Sequence, residues 1–124
     1  MTAGVATVRR DGRAHAAPVW FTLDGDDLVF TTGADTVKGR GLRRTGRAAV
    51  VVDDPSPPFG FVSLEGPVTV SEVLDEVLTW TTRISARYVG AEGAEAFGRR
   101  TTIPGTLLVR VTPETVAAIA DLTD

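Results

Sequence analysis

The chain has 124 residues, 43% of them hydrophobic, with 13 cationic and 16 acidic side chains and a formal net charge of −3. That is enough for one domain, 1–124, with a real core, and too apolar for a disordered chain; the acidic balance gives no reason to expect nucleic acid as a partner. With no cysteine, disulfides, thiolate nucleophiles and iron–sulfur clusters are excluded, and a single histidine, His15, excludes a multi-histidine metal site within one chain.

Residues 4–8 read as a first strand, and Asp11-Gly12 is a strong hairpin signal after it. Residues 15–22 form a second strand in which Pro18 points to an edge or a bulge. After a turn at 23–27, residues 28–32 form a third strand. A short basic helix follows, with Asp35 or Thr36 as its cap. Residues 47–53 are a fourth strand, its Ala and Val crowded as in a strand buried on both faces. Residues 59–71 are a long strand, broken or bent near Gly66-Pro67. The main helix spans 72–88, with Leu74, Val77, Leu78, Thr81, Ile84 and Tyr88 on one face at spacings of three and four. Gly90 ends it. A second helical piece covers 91–100, a last strand 106–111, and 113–120 a short helix or strand. Hairpin-linked strands with one good helix suggest a mainly β protein, a small barrel or highly curved sheet with flanking helices. No apolar run nears the roughly 20 residues that span a bilayer, and no basic-then-apolar leader opens the chain, so it reads as cytoplasmic with no membrane association.

The basic helix is the most informative segment. From 35 to 47 it carries five cations, and after Asp35 no acid follows until Asp53, a local reversal of sign in an acidic chain. A helix that opens at a strand end and carries cations is a natural seat for a phosphate, although cations on a short exposed helix are usually only solvated. Gly39 and Gly41 weaken this helix by ~1 kcal/mol each relative to Ala, a cost expected where backbone must approach a ligand or a neighbouring chain.

Nothing else in the sequence marks a catalytic centre. His15 lies just after a turn, where a surface histidine is the plain reading, and the carboxylates sit in turns or on helix faces without an acid/base spacing. No catalytic residue is assigned, and any chemistry would belong to an organic cofactor.

Residues 5–12 (VATVRRDG) and 15–21 (HAAPVWF), then 28–32 (LVFTT), 38–42 (KGRGL), 47–53 (RAAVVVD) and 61–70 (FVSLEGPVTV), resemble in order the pyridoxamine-phosphate-oxidase-like split-barrel family. The nearest resemblance is to its branch that uses the deazaflavin coenzyme F420. The resemblance implies a six-stranded split β-barrel of the FMN-binding type, mainly β with flanking helices. It also implies a homodimer with the cofactor, F420 or alternatively FMN, in a cleft between protomers. Carried onto this chain, Lys38 matches the family's phosphate-binding lysine, with Arg40 as its neighbour and Thr36 at the helix start. Thr31 and Thr32 match the strand end facing the phosphate and ribityl chain. Pro18, Val19 and Trp20 match the strand beside the tricyclic ring. Phe59 and Phe61 match positions that approach from the second protomer.

Two departures stand out. Gly41 occupies a position where asparagine is common in that family. Members usually open with a helix, whereas here the first strand begins almost at Met1, so the chain reads as a shortened or trimmed member. The implied activity is an F420-dependent reductase acting on an unsaturated small molecule. An FMN-binding oxidoreductase of the same fold and a non-catalytic flavin or deazaflavin binder are the alternatives.

Overall fold

The computed structural model describes residues 2–54, 56 and 60–119, for residue 119 the backbone alone, and these form eight strands and three helices. Strand β1 (Ala3–Val8) turns through 9–13 into β2 (Ala14–Val19); β3 (Thr22–Asp24) turns into β4 (Asp27–Gly33). Helix α1 (Val37–Thr45) leads to β5 (Arg47–Asp53) and β6 (Phe61–Ser71). The helical hairpin α2 (Leu74–Val89) and α3 (Ala91–Thr101) precedes β7 (Thr106–Val111) and β8 (Thr115–Ile119).

The strands form one curled sheet in the order β2-β1-β5-β6-β7-β4-β3, with β8 also paired to β6. The corner is β6. Its residues 61–67 pair with β5, and from Val68 onward it pairs with β7. That change of partner falls at Gly66-Pro67, where a bend is expected from the sequence. The sheet has eight strands rather than six, because the expected second strand divides and 115–119 adds to β6.

Alternation along the strands builds the core. Ala3 and Val5, Leu28 and Phe30, Val50, and Leu107, Val109 and Val111 all point into the barrel and are buried. On the other side of β4 and β7, Val29 and Leu108 pack under Val77 and Trp80 of α2. These two strands are therefore apolar on both faces because both are covered. The same expectation fails for β5. Its Ala48 and Val50 are buried, but Ala49 and Val51 face outward, with Val51 44% exposed. No described helix covers that side, so the Ala/Val crowding marks a one-sided strand with a small apolar outer face.

The segment 15–22 is also not one strand. It breaks after Val19, and Trp20 turns out to stack on Tyr88 of α2, ring centroids 4.5 Å apart, with Phe97 of α3 at 5.6 Å. Phe21 N–H donates to the Tyr88 hydroxyl, and Arg87 donates to Phe21 C=O at 2.6 Å. These contacts fasten the helical hairpin to the barrel, and Leu74, expected on the buried face of α2, is left 45% exposed. No described helix is long and apolar enough to cross a membrane.

Candidate functional site

The junction of β4 with α1 is organised by one threonine. Thr36 is the N-cap of α1: its Oγ1 accepts from Gly39 N–H at 2.9 Å and donates to Gly33 C=O at 2.7 Å. Thr32 follows Leu28 and Phe30 onto the inner face and is buried, its Oγ1 3.4 Å from that of Thr36. Thr31 lies on the opposite face by strand alternation and is half-buried, so the strand end presents one threonine to the cap and not two. Above the cap, the first-turn N–H groups of Val37 and Lys38 have no intrahelical acceptor, as at any helix start. Lys38 is half-buried here. Its partial burial pushes the ammonium below the ordinary lysine range, and it has no ion-pair partner among the described residues. A cation in this state, beside free N–H groups, is a place where an anion restores what desolvation takes away.

The two glycines of α1 serve the chain itself. A Cβ at Gly39 would overlap the Gly33 carbonyl oxygen and stand 3.1 Å from its carbon. A Cβ at Gly41 would lie 3.2 Å from both Cβ and Oγ1 of Thr7 on β1. The close approach expected of a ligand or neighbouring chain is in fact the seating of α1 on β1 and the end of β4. Leu42, completely buried, completes that contact. Gly46, in the left-handed region at φ 68°, closes the helix by donating to Leu42 C=O.

Lys38 and Arg40 do not converge. Two residues along a helix rotate by about 200°, onto nearly opposite faces. Arg40 lines a groove of about 950 Å³ with Val37, Arg43 and Arg44 of α1, with Ala34 and Asp35 before it, and with Arg9, Arg10 and Asp11 of the β1–β2 turn; Lys38 is not among the lining residues. The sequence does not single out Arg9 and Arg10 as site residues. Their only signal is two cations just before an Asp-Gly turn, and pairing of β1 with β5 is what carries that turn to α1.

The segment expected beside a flavin-type ring is dispersed. Val19 is buried in the barrel core, Trp20 is taken up by Tyr88 and Phe97, and Pro18 is exposed opposite Gly4 on the outer side. Phe61 is half-buried at the start of β6, in register with Asp53. Phe59 lies outside the described residues. His15 stands opposite Thr7 in the β1–β2 ladder, and both His15 Nδ1 and Thr7 Oγ1 are buried without hydrogen-bond partners among the described residues.

Similar folds occur among solved structures. A conserved hypothetical protein of Mycobacterium tuberculosis superposes with a TM-score of 0.82 at 21% identity, over 94% of this chain and 75% of that one. A protein described as an F420 reductase gives 0.73 at 24% identity, over 94% and 89%. A pyridoxamine 5'-phosphate oxidase-related, FMN-binding protein of Nostoc punctiforme gives 0.69 at 16% identity, over 99% and 75%. At these identities the likeness is one of fold: a curled half-barrel with flanking helices. No curated protein matches the sequence. The family model for pyridoxamine 5'-phosphate oxidase matches residues 2–120, nearly the whole chain, and the chain belongs to that family.

Proposed function

We propose that the protein is an F420-dependent reductase that delivers a hydride to an unsaturated small molecule. The observation that carries this reading is Lys38: half-buried, without an anionic partner among the described residues, at the capped and open end of α1, in a chain of this family. The cap, the first-turn N–H groups and Lys38 fit a phosphate. The ring side fits less closely, since of Pro18, Val19 and Trp20 only Pro18 is both exposed and uncommitted to another ring. The bound deazaflavin supplies the hydride, from C5. What this chain contributes is grip on the phosphate through Lys38 and Thr32–Thr36, orientation of the ring, and exclusion of water. The F420 reductase of similar fold supports the deazaflavin. FMN is the second reading, favoured by the FMN-binding Nostoc protein, since the same seat serves either phosphate.

Lys38→Ala is expected to weaken cofactor binding about tenfold or more, the loss of one charge-assisted contact. Unchanged affinity in a folded variant would remove Lys38 from the site.

The reading includes a homodimer with the cofactor at its interface. Gly4, Val51, Ser63 and Ala117 form one register row across β1, β5, β6 and β8 on the uncovered side of the sheet. Ala49 and Val51 are both exposed there. Small apolar side chains on an uncovered sheet face suit stacking against a second copy. Val51→Asp is expected to shift the protein from dimer to monomer in sedimentation velocity and to lower cofactor affinity with it. A Val51→Asp protein that stays dimeric would place the interface elsewhere.

A further inference from the structure

The arginine groove has properties that a cofactor phosphate at Lys38 leaves unused. Five guanidinium groups (Arg9, Arg10, Arg40, Arg43 and Arg44) line it against two carboxylates, Asp11 and Asp35, a balance of 5 − 2 = +3. Two further ion-pair partners do not change it: Glu72 takes Arg43 at 2.7 Å, and Arg13 takes Asp11 at 2.7 Å, adding one charge of each sign. The whole chain is −3. Like charges gathered in one concave place repel one another, and this concentration is not an average property of the surface.

The groove's arginines are in different states. Arg43 is engaged by Glu72, and Arg44 donates to Val8 C=O. Arg10 and Arg40 have no ion-pair partner among the described residues, and Arg9 Nε is buried without a hydrogen-bond acceptor. Asp11 is held below the usual carboxylate range, first by hydrogen bonds from the Arg13 backbone and side chain, and is committed to that residue. Donors therefore outnumber acceptors within the groove.

The chain has a single lysine, and it is outside the groove; all the groove's cations are arginines. Guanidinium forks favour paired hydrogen bonds to phosphate or carboxylate oxygens, where an ammonium acts as a point charge. A volume of about 950 Å³ far exceeds one phosphate group.

We propose that this groove is a second anion site, adjoining the Lys38 seat at Val37 but built from other cations, for a small ligand carrying two or more phosphate or carboxylate groups. The two basic regions meet at the start of α1, where Ala34, Asp35 and Val37 line the groove, but they take their cations from different faces of the helix. One is assembled by the Thr36 cap and the end of β4, the other by α1 and the β1–β2 turn. The assignment does not rest on the identity of the cofactor.

The test is calorimetric titration of the full chain with tripolyphosphate, citrate and orthophosphate, in the presence and absence of saturating FMN or F420. Tripolyphosphate or citrate is expected to bind well above orthophosphate, with affinity falling as salt rises. The tighter of the two assigns the ligand as a phosphoryl or a carboxylate compound. Arg10→Glu is expected to weaken that binding about tenfold or more while leaving cofactor affinity unchanged. Lys38→Ala is expected to do the reverse. Arg10→Lys/Arg40→Lys, which keeps the charge and loses the forks, is expected to weaken it by an intermediate factor. Three results would overturn the proposal: no preference for the multivalent anions, binding unaltered in Arg10→Glu/Arg40→Glu, or competition between the anion and the cofactor. Competition would leave the cofactor reading standing, so the two fail separately.

Discussion

Gly39→Ala is expected to destabilise the protein and to weaken cofactor binding, although helix propensity alone predicts the opposite. In an exposed helix interior the change would stabilise by ~1 kcal/mol. Here Gly39 is buried, and its missing side chain is what lets the helix approach the end of β4. A methyl there would overlap Gly33 C=O and crowd Ala34 Cα at 3.2 Å. Both neighbours are backbone, so no side chain can swing away. Relief requires α1 to lift from the sheet, and overpacking of this kind costs about 1–3 kcal/mol. The same movement pulls Gly39 N–H from its 2.9 Å contact with Thr36 Oγ1 and displaces Lys38, one residue away. Urea denaturation reads the stability and ligand titration reads the site. A stabilised Gly39→Ala with unchanged affinity would show that the approach of α1 to β4 is not tight.

Phe30→Ala should have the largest effect on stability. Phe30 is fully buried at the centre of the barrel interior, opposite Val109 of β7, within the same cluster as Leu28, Leu42, Leu107 and Val111. Truncating a buried phenylalanine costs about 3–5 kcal/mol, the lost transfer free energy plus that of the cavity left behind. Against the roughly 5–15 kcal/mol typical of a whole domain, about a fifth or more of the stability is lost. Leu42 joins α1 to that cluster, so the loss is expected to loosen α1 and the phosphate seat as well as the barrel. A loss under about 1 kcal/mol in denaturant titration would mean the barrel interior collapses around the gap, at odds with its close packing.

Much of this architecture is legible in the residues. The 47–53 strand, the 106–111 strand, the helix ended by Gly90 and the alternative of Thr36 as a cap all have local causes: alternation, helical spacing, a hydroxyl before a helical run. The bend at Gly66-Pro67 is local too. What the sequence hides is non-local. Whether Ala48–Val52 is covered on one face or two depends on where the helices land, and α2 lies on β4 and β7 instead. Trp20 continues an apparent strand pattern, yet its ring is claimed by Tyr88, 68 positions later in the chain. The glycines of α1 signal a close approach without naming the neighbour, which is Gly33 for one and Thr7 for the other. The site divides in the same way. Lys38 and Thr36 belong to one continuous segment and can be read together. Arg40 is their near neighbour along the sequence, but helical rotation takes it to the other face, where it meets Arg9 and Arg10 through the pairing of β1 with β5.

Parallel titration of the purified protein with coenzyme F420 and FMN, followed by fluorescence quenching, tests the central claim most directly. Tight binding of the deazaflavin with weak binding of FMN, both reduced by Lys38→Ala, is the predicted result. Preference for FMN would contradict the deazaflavin assignment and move the protein to the flavin reading. Binding of neither by the folded protein would contradict the cofactor seat at α1 altogether.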